Sequence, residues 1–500
     1  MAYHSPQIQV TDFKGLMTVG PNEGNFDELI KAENVYFDKT GSLLGRKGFK
    51  YLSRTPSDIV GTPTGQFVGL YREDTTGDFP TALVTVDGNL YGLADPTDTH
   101  LDELDSSGAL ASVGRGVQYG GAFYFSNGHK WDGSALTTVT DYPGNFGPMA
   151  VHNERVWCEA NSRLFFSEVG DADTWPALNF VDVEPGVDDS ILDIVPFKNR
   201  LFIFKERTAW ILETPGATTS WTLRQWANYR AFQQTAIEYN GVLYWFGAGG
   251  VYQTDGITTS RISEPIQDVF DSVHALENVA NPYTNSYSCV FDNQLIICVS
   301  LNGEQRIFCY NIGSSRWTEW TFSWQNGDGD PYPIRGLWAE EVNSQWTPRG
   351  VYMLVDDTPR FFIAGMFPEY PDSNVTHYDE YGVGAGSHAQ FHPVIQTKFS
   401  DFGEPYGKKR IQQWMVEYDG SGMTIVQYDE EGRSFSHTIP AGGGNHSREI
   451  RFPGIGYARR FSMKITFNLP TTLGWGLSTL NGRLRVRGQQ IENAENTQNG

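Results

Sequence analysis

Through most of the chain the apolar positions come in short alternating runs broken by Asn, Asp and Gly. The segment 196–256 carries the unit twice. Phe197-Lys198-Asn199-Arg200-Leu201-Phe202-Ile203-Phe204 leads to Thr208-Ala209-Trp210-Ile211-Leu212. Later come Ile237-Glu238-Tyr239-Asn240-Gly241-Val242-Leu243-Tyr244-Trp245-Phe246 and Gly249-Gly250-Val251-Tyr252. Each half reads as strand, polar turn, apolar strand, second turn, strand. Asn-Gly between apolar runs signals a hairpin, because both central turn residues need positive φ. A lone hairpin is marginal in water and must stack on others, so the pattern predicts copies.

The copies sit at Val86-Asp87-Gly88-Asn89-Leu90-Tyr91, Tyr119-Gly120-Gly121-Ala122-Phe123, His152-Asn153-Glu154-Arg155-Val156-Trp157 and Phe291-Asp292-Asn293-Gln294-Leu295. A degenerate one lies near Gly350-Val351-Tyr352-Met353-Leu354. Turn residues fall at positions 87, 120, 153, 199, 240 and 293, with intervals of 33, 33, 46, 41 and 53. Units of roughly 40–50 residues with four strands each are what propeller blades require. The competing reading is a set of unrelated hairpins in a sandwich.

The flanks read differently. Residues 1–58 form an N-terminal arm: an extended start, a brief helical turn near 28–34, and a hairpin through Gly41. Its roles are to close the ring with a strand or to dock on a neighbouring protein. Residues 59–371 hold the propeller, with inter-strand loops at 138–148 and 171–185. A helix is expected over 264–276, where Pro265 suits a first turn and Ile266, Val269, Phe270 and Val273 repeat at helical spacing. Ile307-Phe308-Cys309-Tyr310-Asn311 and Arg316-Trp317-Thr318-Glu319-Trp320 resemble the Tyr-then-Trp strand pair of kelch-type blades. Residues 372–392, with Gly382, Gly384 and Gly386, read as a linker. Residues 393–490 alternate as a small β-sandwich, in which Gln413-Trp414-Met415-Val416-Glu417-Tyr418 and Met423-Thr424-Ile425-Val426-Gln427-Tyr428 are joined by Asp419-Gly420-Ser421-Gly422. Residues 491–500 read as a polar, disordered tail. The fold class is therefore mainly β, a β-propeller with an N-terminal arm and a C-terminal β-sandwich domain.

Composition agrees with that class. With 31 Phe, 24 Tyr, 14 Trp, 54 Gly and 25 Pro, the chain is rich in residues that fill pleated surfaces and make turns. A mean hydropathy of −0.40 and the lack of a long apolar run exclude a transmembrane helix. Met1-Ala2-Tyr3-His4-Ser5-Pro6 lacks the pattern of a signal peptide. Cys158, Cys289, Cys298 and Cys309 have no CxxC spacing and read as thiols filling the sheets, consistent with synthesis in a reducing cytoplasm.

Charge adds a partition. Residues 1–390 carry 24 basic against 49 acidic side chains; residues 391–490 carry 13 against 8. An acidic body repels phosphate, which disfavours tight DNA binding. Solubility alone would account for it; a surface past which DNA must slide is the sharper account.

No catalytic motif emerges: there is no G-x-S-x-G, Walker A or H-E-x-x-H. His388 and His392 stand four apart in a Gly-rich segment, a poor metal site. Asn326-Gly327-Asp328-Gly329-Asp330 opens like a calcium loop, but the twelfth position is Leu337 or Ala339 rather than an acid. A propeller glycosidase would need paired carboxylates, and no pair is marked out by spacing. No cofactor is expected.

Several segments resemble one family. Phe13-Lys14-Gly15-Leu16, Ala32-Glu33-Asn34-Val35, and Gly41-Ser42-Leu43 followed by Arg46-Lys47-Gly48-Phe49 are similar to the opening of phage tail proteins. Arg200-Leu201-Phe202-Ile203-Phe204, Trp210-Ile211-Leu212-Glu213 and the order arm, propeller, linker, sandwich resemble the tail nozzle (tail hub) proteins of short-tailed bacteriophages. The resemblance implies a non-enzymatic virion component, made in the bacterial host cytoplasm and built into the tail. It implies a homohexameric ring below the portal and adaptor that extends the DNA channel, retains packaged DNA and passes it on ejection. Neighbours would be the adaptor and a tail needle, fibre or tailspike. Contact residues for a neighbouring subunit or partner would be Phe13, Arg46 and Lys47 in the arm and Lys408, Lys409, Arg410, Arg459 and Arg460 in the basic C-terminal part. Those basic residues would pair with an acidic neighbouring surface, DNA or an adjoining tail protein, the first being preferred. A propeller enzyme or carbohydrate-binding module acting on host glycans, and a host-receptor adhesin, are the alternatives.

Overall fold

The six repeat turns singled out in the sequence have left-handed backbone at two successive residues. The φ values are 50° and 84° at Asp87-Gly88, 56° and 80° at Gly120-Gly121, 49° and 56° at Asn153-Glu154, 48° and 60° at Lys198-Asn199, 50° and 77° at Asn240-Gly241, and 46° and 64° at Asp292-Asn293. Paired positive φ gives a turn whose twist matches the strands it joins. In the computed structural model these turns organise a mainly β chain. It describes residues 8–10, 13–20, 22–37, 43–46, 48–54, 64–71, 81–93, 101–111, 113–144, 147–184, 189–229, 231–274, 286–301, 304–322, 332–340, 350–357, 360–366, 378–380, 388–390, 392–402, 408–418, 422–439, 448–453, 456–467 and 485–493.

Six four-stranded sheets stand as separate blades, and a seventh four-strand unit completes the circle before running on into a larger sheet. The blades span 65–105 (I), 117–138 (II), 149–182 (III), 191–227 (IV), 237–261 (V), 287–320 (VI) and 334–366 (VII). Their innermost strands are Gly65–Tyr71, Val117–Tyr119, Met149–His152, Ile191–Phe197, Ile237–Tyr239, Tyr287–Phe291 and Ile334–Glu340. Each touches the next, and the last touches the first. The core is divided in the same way. One apolar cluster fills each gap between consecutive blades: Trp157, Leu201 and Ile203 lie between III and IV, and Phe204, Ile211 and Trp245 between IV and V. Stability thus comes from sheet-on-sheet packing around a ring.

Blade VII is completed by the N-terminal strand Lys50–Arg54, which pairs antiparallel with Arg360–Met366. Through this strand the N-terminal segment closes the ring, one of the two roles considered for it. The degenerate copy at Gly350 begins the second strand of this blade, Gly350–Asp357.

Blade VI is the outlier. Beyond its outer strand Arg316–Trp320, a nine-stranded sheet continues through Leu29–Glu33, Val394–Thr397, Phe461–Phe467, Met423–Asp429 and Ser434–Ile439. A second sheet joins Ile8–Val10, Arg485–Asn493, Lys409–Tyr418 and Arg448–Pro453, with Tyr457–Ala458 on Lys409–Tyr418. Each of the two sheets therefore holds one N-terminal strand.

Several expectations are corrected. The helical turn near 28–34 is the strand Leu29–Glu33. Its buried residues, Leu29 and Ala32, are three apart because the register with Val394–Thr397 shifts between Leu29 and Lys31, and that bulge mimics helical spacing. Gln413–Tyr418 and Met423–Tyr428 do not form a hairpin; they lie in different sheets. The linker region holds a strand pair, Tyr378–Glu380 with His388–Gln390. The C-terminal strand runs past the expected tail boundary to Asn493, opposite Lys409. The loop 171–185 contains the outer strand of blade III, Phe180–Asp182. The expected helix is a 3-10 turn, Glu264–Ile266, followed by Gln267–His274, with Ile266 and Phe270 buried. The four cysteines are free and buried, and burial pushes the thiols of Cys158 and Cys298 up to about 12.

Candidate functional sites: the arm, the basic edge and the axial cavity

The arm motifs turn inward. Asn34 has φ 56° and is 3% exposed. Its Oδ1 accepts from Arg46 Nε at 2.9 Å and from the Thr321 backbone N–H at 3.0 Å, while its Nδ2 donates to Thr321 Oγ1 at 2.8 Å. Arg46 is fully buried, donates to the Thr321 carbonyl at 2.8 Å, and lies over the Phe322 ring at 4.8 Å. The Asn-Val and Arg-x-Gly signature is thus a fastener between the arm and the end of blade VI. Gly15, at φ 85°, packs so closely that a Cβ would meet the Trp317 carbonyl oxygen at 3.0 Å. Phe13, 4% exposed, belongs to the core with Trp317 and Phe461. Phe13 and Arg46 are therefore corrected from partner contacts to interior residues of their own chain. Lys47 lies outside the described residues.

The basic C-terminal residues gather. Lys409 pairs in register with Ala458, and Arg410 with Tyr457, so the run 408–410 lies beside Arg459 and Arg460. The side chains of Lys409 and Arg410 lie outside the described residues. Lys408 and Arg459 are exposed. Lys408 makes a long contact of 3.9 Å to Glu431, both about half exposed, and such surface pairs contribute little. The backbone N–H groups of Arg459 and Arg460 donate to the two Glu430 carboxylate oxygens at 2.8 and 3.0 Å. Arg460 turns to the arm and binds Glu23. The structure thus brings the two basic runs to one edge but commits Arg460 to an internal contact.

Sequence reasoning missed a third feature. Beside the inner strands of blades II to V lies an open-sided cavity of about 220 Å³ lined by Arg115, Met149, Asp193, Gln234 and Glu238 among others. Arg115 precedes the inner strand of blade II and is held on the side toward blades I and VII. Its Nη2 donates to the Leu337 carbonyl of blade VII at 3.3 Å, and the next residue's N–H donates to Val68 of blade I at 2.9 Å. Tyr287 of blade VI faces the same guanidinium. Burial lowers the proton affinity of Arg115, opposed by Asp193. Asp193 Oδ2 accepts from the Ala236 N–H at 3.2 Å and Oδ1 from the Ile194 N–H at 3.0 Å. Burial pushes its carboxyl up to about 6, and neither these bonds nor Arg115 cancel that effect. Arg115 Nε and Gln234 Oε1 are buried without a hydrogen-bond partner among the described residues. Gln234 also sits at φ 62°, a backbone region that costs a non-glycine residue about 1 kcal/mol or more.

Other candidates remain unused. His392 is exposed and its Nδ1 lies 3.2 Å from the Phe467 carbonyl oxygen, and 326–330 lies outside the described residues. Among the described residues no group of three His, Cys, Asp or Glu is placed to hold a metal, and no helix is long and apolar enough to cross a membrane.

No family model matches the chain, and no curated protein matches it. Among solved structures it is similar to the WD40 domain of Neurospora crassa Pan2, at 8% identity and TM-score 0.40 over 64% of this chain and 96% of that one. It is similar to the AfRom2 CNH domain at 9% identity and TM-score 0.36 over 62% and 98%. A puromycin-hydrolysing peptidase of Mycobacterium tuberculosis matches at 13% identity and TM-score 0.36 over 70% and 61%. At these levels the likeness says nothing of activity. The blade count rests on this chain's own strand order.

Proposed function

We propose that this chain is a structural subunit of a phage tail, of the nozzle or hub kind, that assembles as a homohexameric ring extending the DNA channel. The observation that carries the reading is the charge partition on the fold. The chain up to residue 390 has 49 acidic against 24 basic side chains, whereas the C-terminal part has a basic excess. Exposed Lys408 and Arg459 mark one edge of that part. A basic edge and an acidic body on one subunit are complementary head to tail, the heterologous contact from which cyclic rings are made. An acidic bore would repel phosphate and let a duplex slide without trapping. The buried Asn34–Arg46 fastener also gives the arm motifs, on which the family resemblance stands, a structural task.

The test is native mass spectrometry of the full chain at low and high ionic strength. Six-copy species that dissociate as salt screens the charge contacts support the proposal. A monomer at every salt and protein concentration, or a chain that retains duplex DNA at physiological salt, would overturn it.

A further inference from the structure

One end of the propeller carries apolar tips that the fold does not need. The turns between the third and fourth strands of blades III, IV and V share this end with the turns between first and second strands. The Gly170 N–H donates to the Glu154 carbonyl at 2.8 Å, Asn153 Nδ2 to the Thr214 carbonyl at 3.2 Å, and Lys198 Nζ to the Asp255 carbonyl at 2.5 Å. Leu178 of blade III is 86% exposed and Ile257 of blade V 90%. Val169 of blade III and Pro215 and Ala217 of blade IV are exposed with them. Single exposed hydrophobics are ordinary; three consecutive blades that carry them at one end are not. Leu178 stands on a pinned loop, anchored by buried Trp175 and closed by the Asn179 N–H on the Pro176 carbonyl at 2.9 Å. Ile257 has a counterpart in blade II. In both four-residue turns an Asp Oδ1 accepts from the N–H groups two and three residues on: Asp255 from Ile257 and Thr258 at 2.8 and 2.7 Å, Asp132 from Ser134 and Ala135 at 2.8 Å each. The same turn closes with Ser in place of Ile, so turn geometry does not account for the isoleucine.

A matching surface lies on the C-terminal part. Phe435 and Tyr457 are exposed there; with Val169, Leu178 and Ile257 they make five of the six large hydrophobic side chains exposed among the described residues. Arg433, two residues before Phe435, donates from Nη2 to the Tyr457 carbonyl at 2.8 Å, which joins both aromatics to the edge marked by Lys408 and Arg459. The charges of the two surfaces are opposite. On the propeller end Glu154, Asp171, Asp173 and Asp255 are exposed against Lys198, and Lys130 is paired with Asp173. On the other surface Lys408, Lys409, Arg410, Arg433 and Arg459 outnumber the three acids at 429–431, Arg460 being committed to Glu23. We propose that these are the two halves of one contact: the turn end of blades III to V in one copy receives the Phe435–Tyr457 edge of a second copy of this chain. This rests on the ring proposed above and names its two faces. Apolar side chains bordered by charge, with Tyr and Arg on one side, have the composition of interface centres. Because the two surfaces differ, the contact is heterologous and repeats from copy to copy.

The test is a complementation assay on the full chain, read by native mass spectrometry and sedimentation at concentrations where the parent is assembled. Leu178→Ser with Ile257→Ser removes the propeller half; Lys408→Glu with Arg459→Glu removes the other. Both pairs change exposed side chains, so each chain should melt within about 2 °C of the parent, yet assemble more weakly by about tenfold or more. Leu178→Met with Ile257→Leu keeps the apolar contact and should assemble as the parent does. Mixed together, the two defective chains retain one intact half each and should form a two-copy species that grows no further. A Leu178→Ser, Ile257→Ser chain that assembles as tightly as the parent would overturn the inference while leaving the ring in place, and so would a mixture that stays monomeric. A parent chain that is monomeric at every concentration would overturn both.

Discussion

Asn34 shows how much one side chain can fix. Two of its side-chain hydrogen bonds hold the arm against Thr321 and a third ties it to Arg46, and its left-handed backbone suits Asn better than most residues. Asn34→Ala should cost about 3 kcal/mol, and Asn34→Gly, which loses the bonds but keeps the backbone freedom, about 1 kcal/mol less; urea denaturation measures both. Sequence reading flagged Arg46 but placed it at a partner surface. A guanidinium reads as exposed until its acceptors are known, and one of them, the Thr321 carbonyl, lies 275 residues away. The axial residues were illegible for the same reason: Arg115, Asp193 and Gln234 come from different blades and share no spacing. Asp193 gives a pH prediction. Its carboxyl titrates near 3.8 when unfolded and at about 6 when folded. Between these values the folded chain binds more protons, so this residue's contribution to stability falls as pH rises from about 4 to about 6 and is level above. Arg115 faces it, Glu238 lines the same cavity and Tyr287 flanks Arg115, so the comparison must be with Asp193→Asn, which should flatten that part of the urea-midpoint profile while leaving the other carboxylates' share.

At the scale of the element, the turns were the legible part. Asn240-Gly241 needs positive φ at both positions, so replacing both with Ala should destabilise by about 2–3 kcal/mol; a smaller loss in chemical denaturation than about 0.5 kcal/mol would mean the hairpin tolerates another turn. The uneven spacing of the turns also has a physical cause. Five of the six lie between the first and second strands of a blade, whereas Asp87-Gly88 lies between the second and third strands of blade I. That one-strand phase slip shortens the first interval. What local pattern could not reveal is long-range pairing. Alternation assigns a strand and its faces but not its neighbour, so the insertion of Leu29–Glu33 between blade VI and Val394–Thr397, and the parting of Lys409–Tyr418 from Met423–Asp429, required the fold.

For the whole molecule, one N-terminal ribbon touches three sheets and closes the ring through Lys50–Arg54. Leu52, 6% exposed between blades VII and I, should be intolerant of charge: Leu52→Asp buries an unpaired carboxylate and should cost about 3 kcal/mol or more, opening this seam first in hydrogen exchange. Assembly tests the outer surface. Reversing Lys408 and Arg459 together to Glu should weaken the oligomer in native mass spectrometry without lowering the melting temperature, because both side chains are exposed. The central claim, that acidic propellers and basic C-terminal edges meet head to tail in a ring, is tested most directly by single-particle imaging of the assembled protein. The account predicts a closed six-copy ring with the Lys408–Arg459 edge of each copy on the propeller of the next and an acidic bore wide enough for a duplex; isolated monomers, or a ring whose bore is lined by cationic side chains, would contradict it.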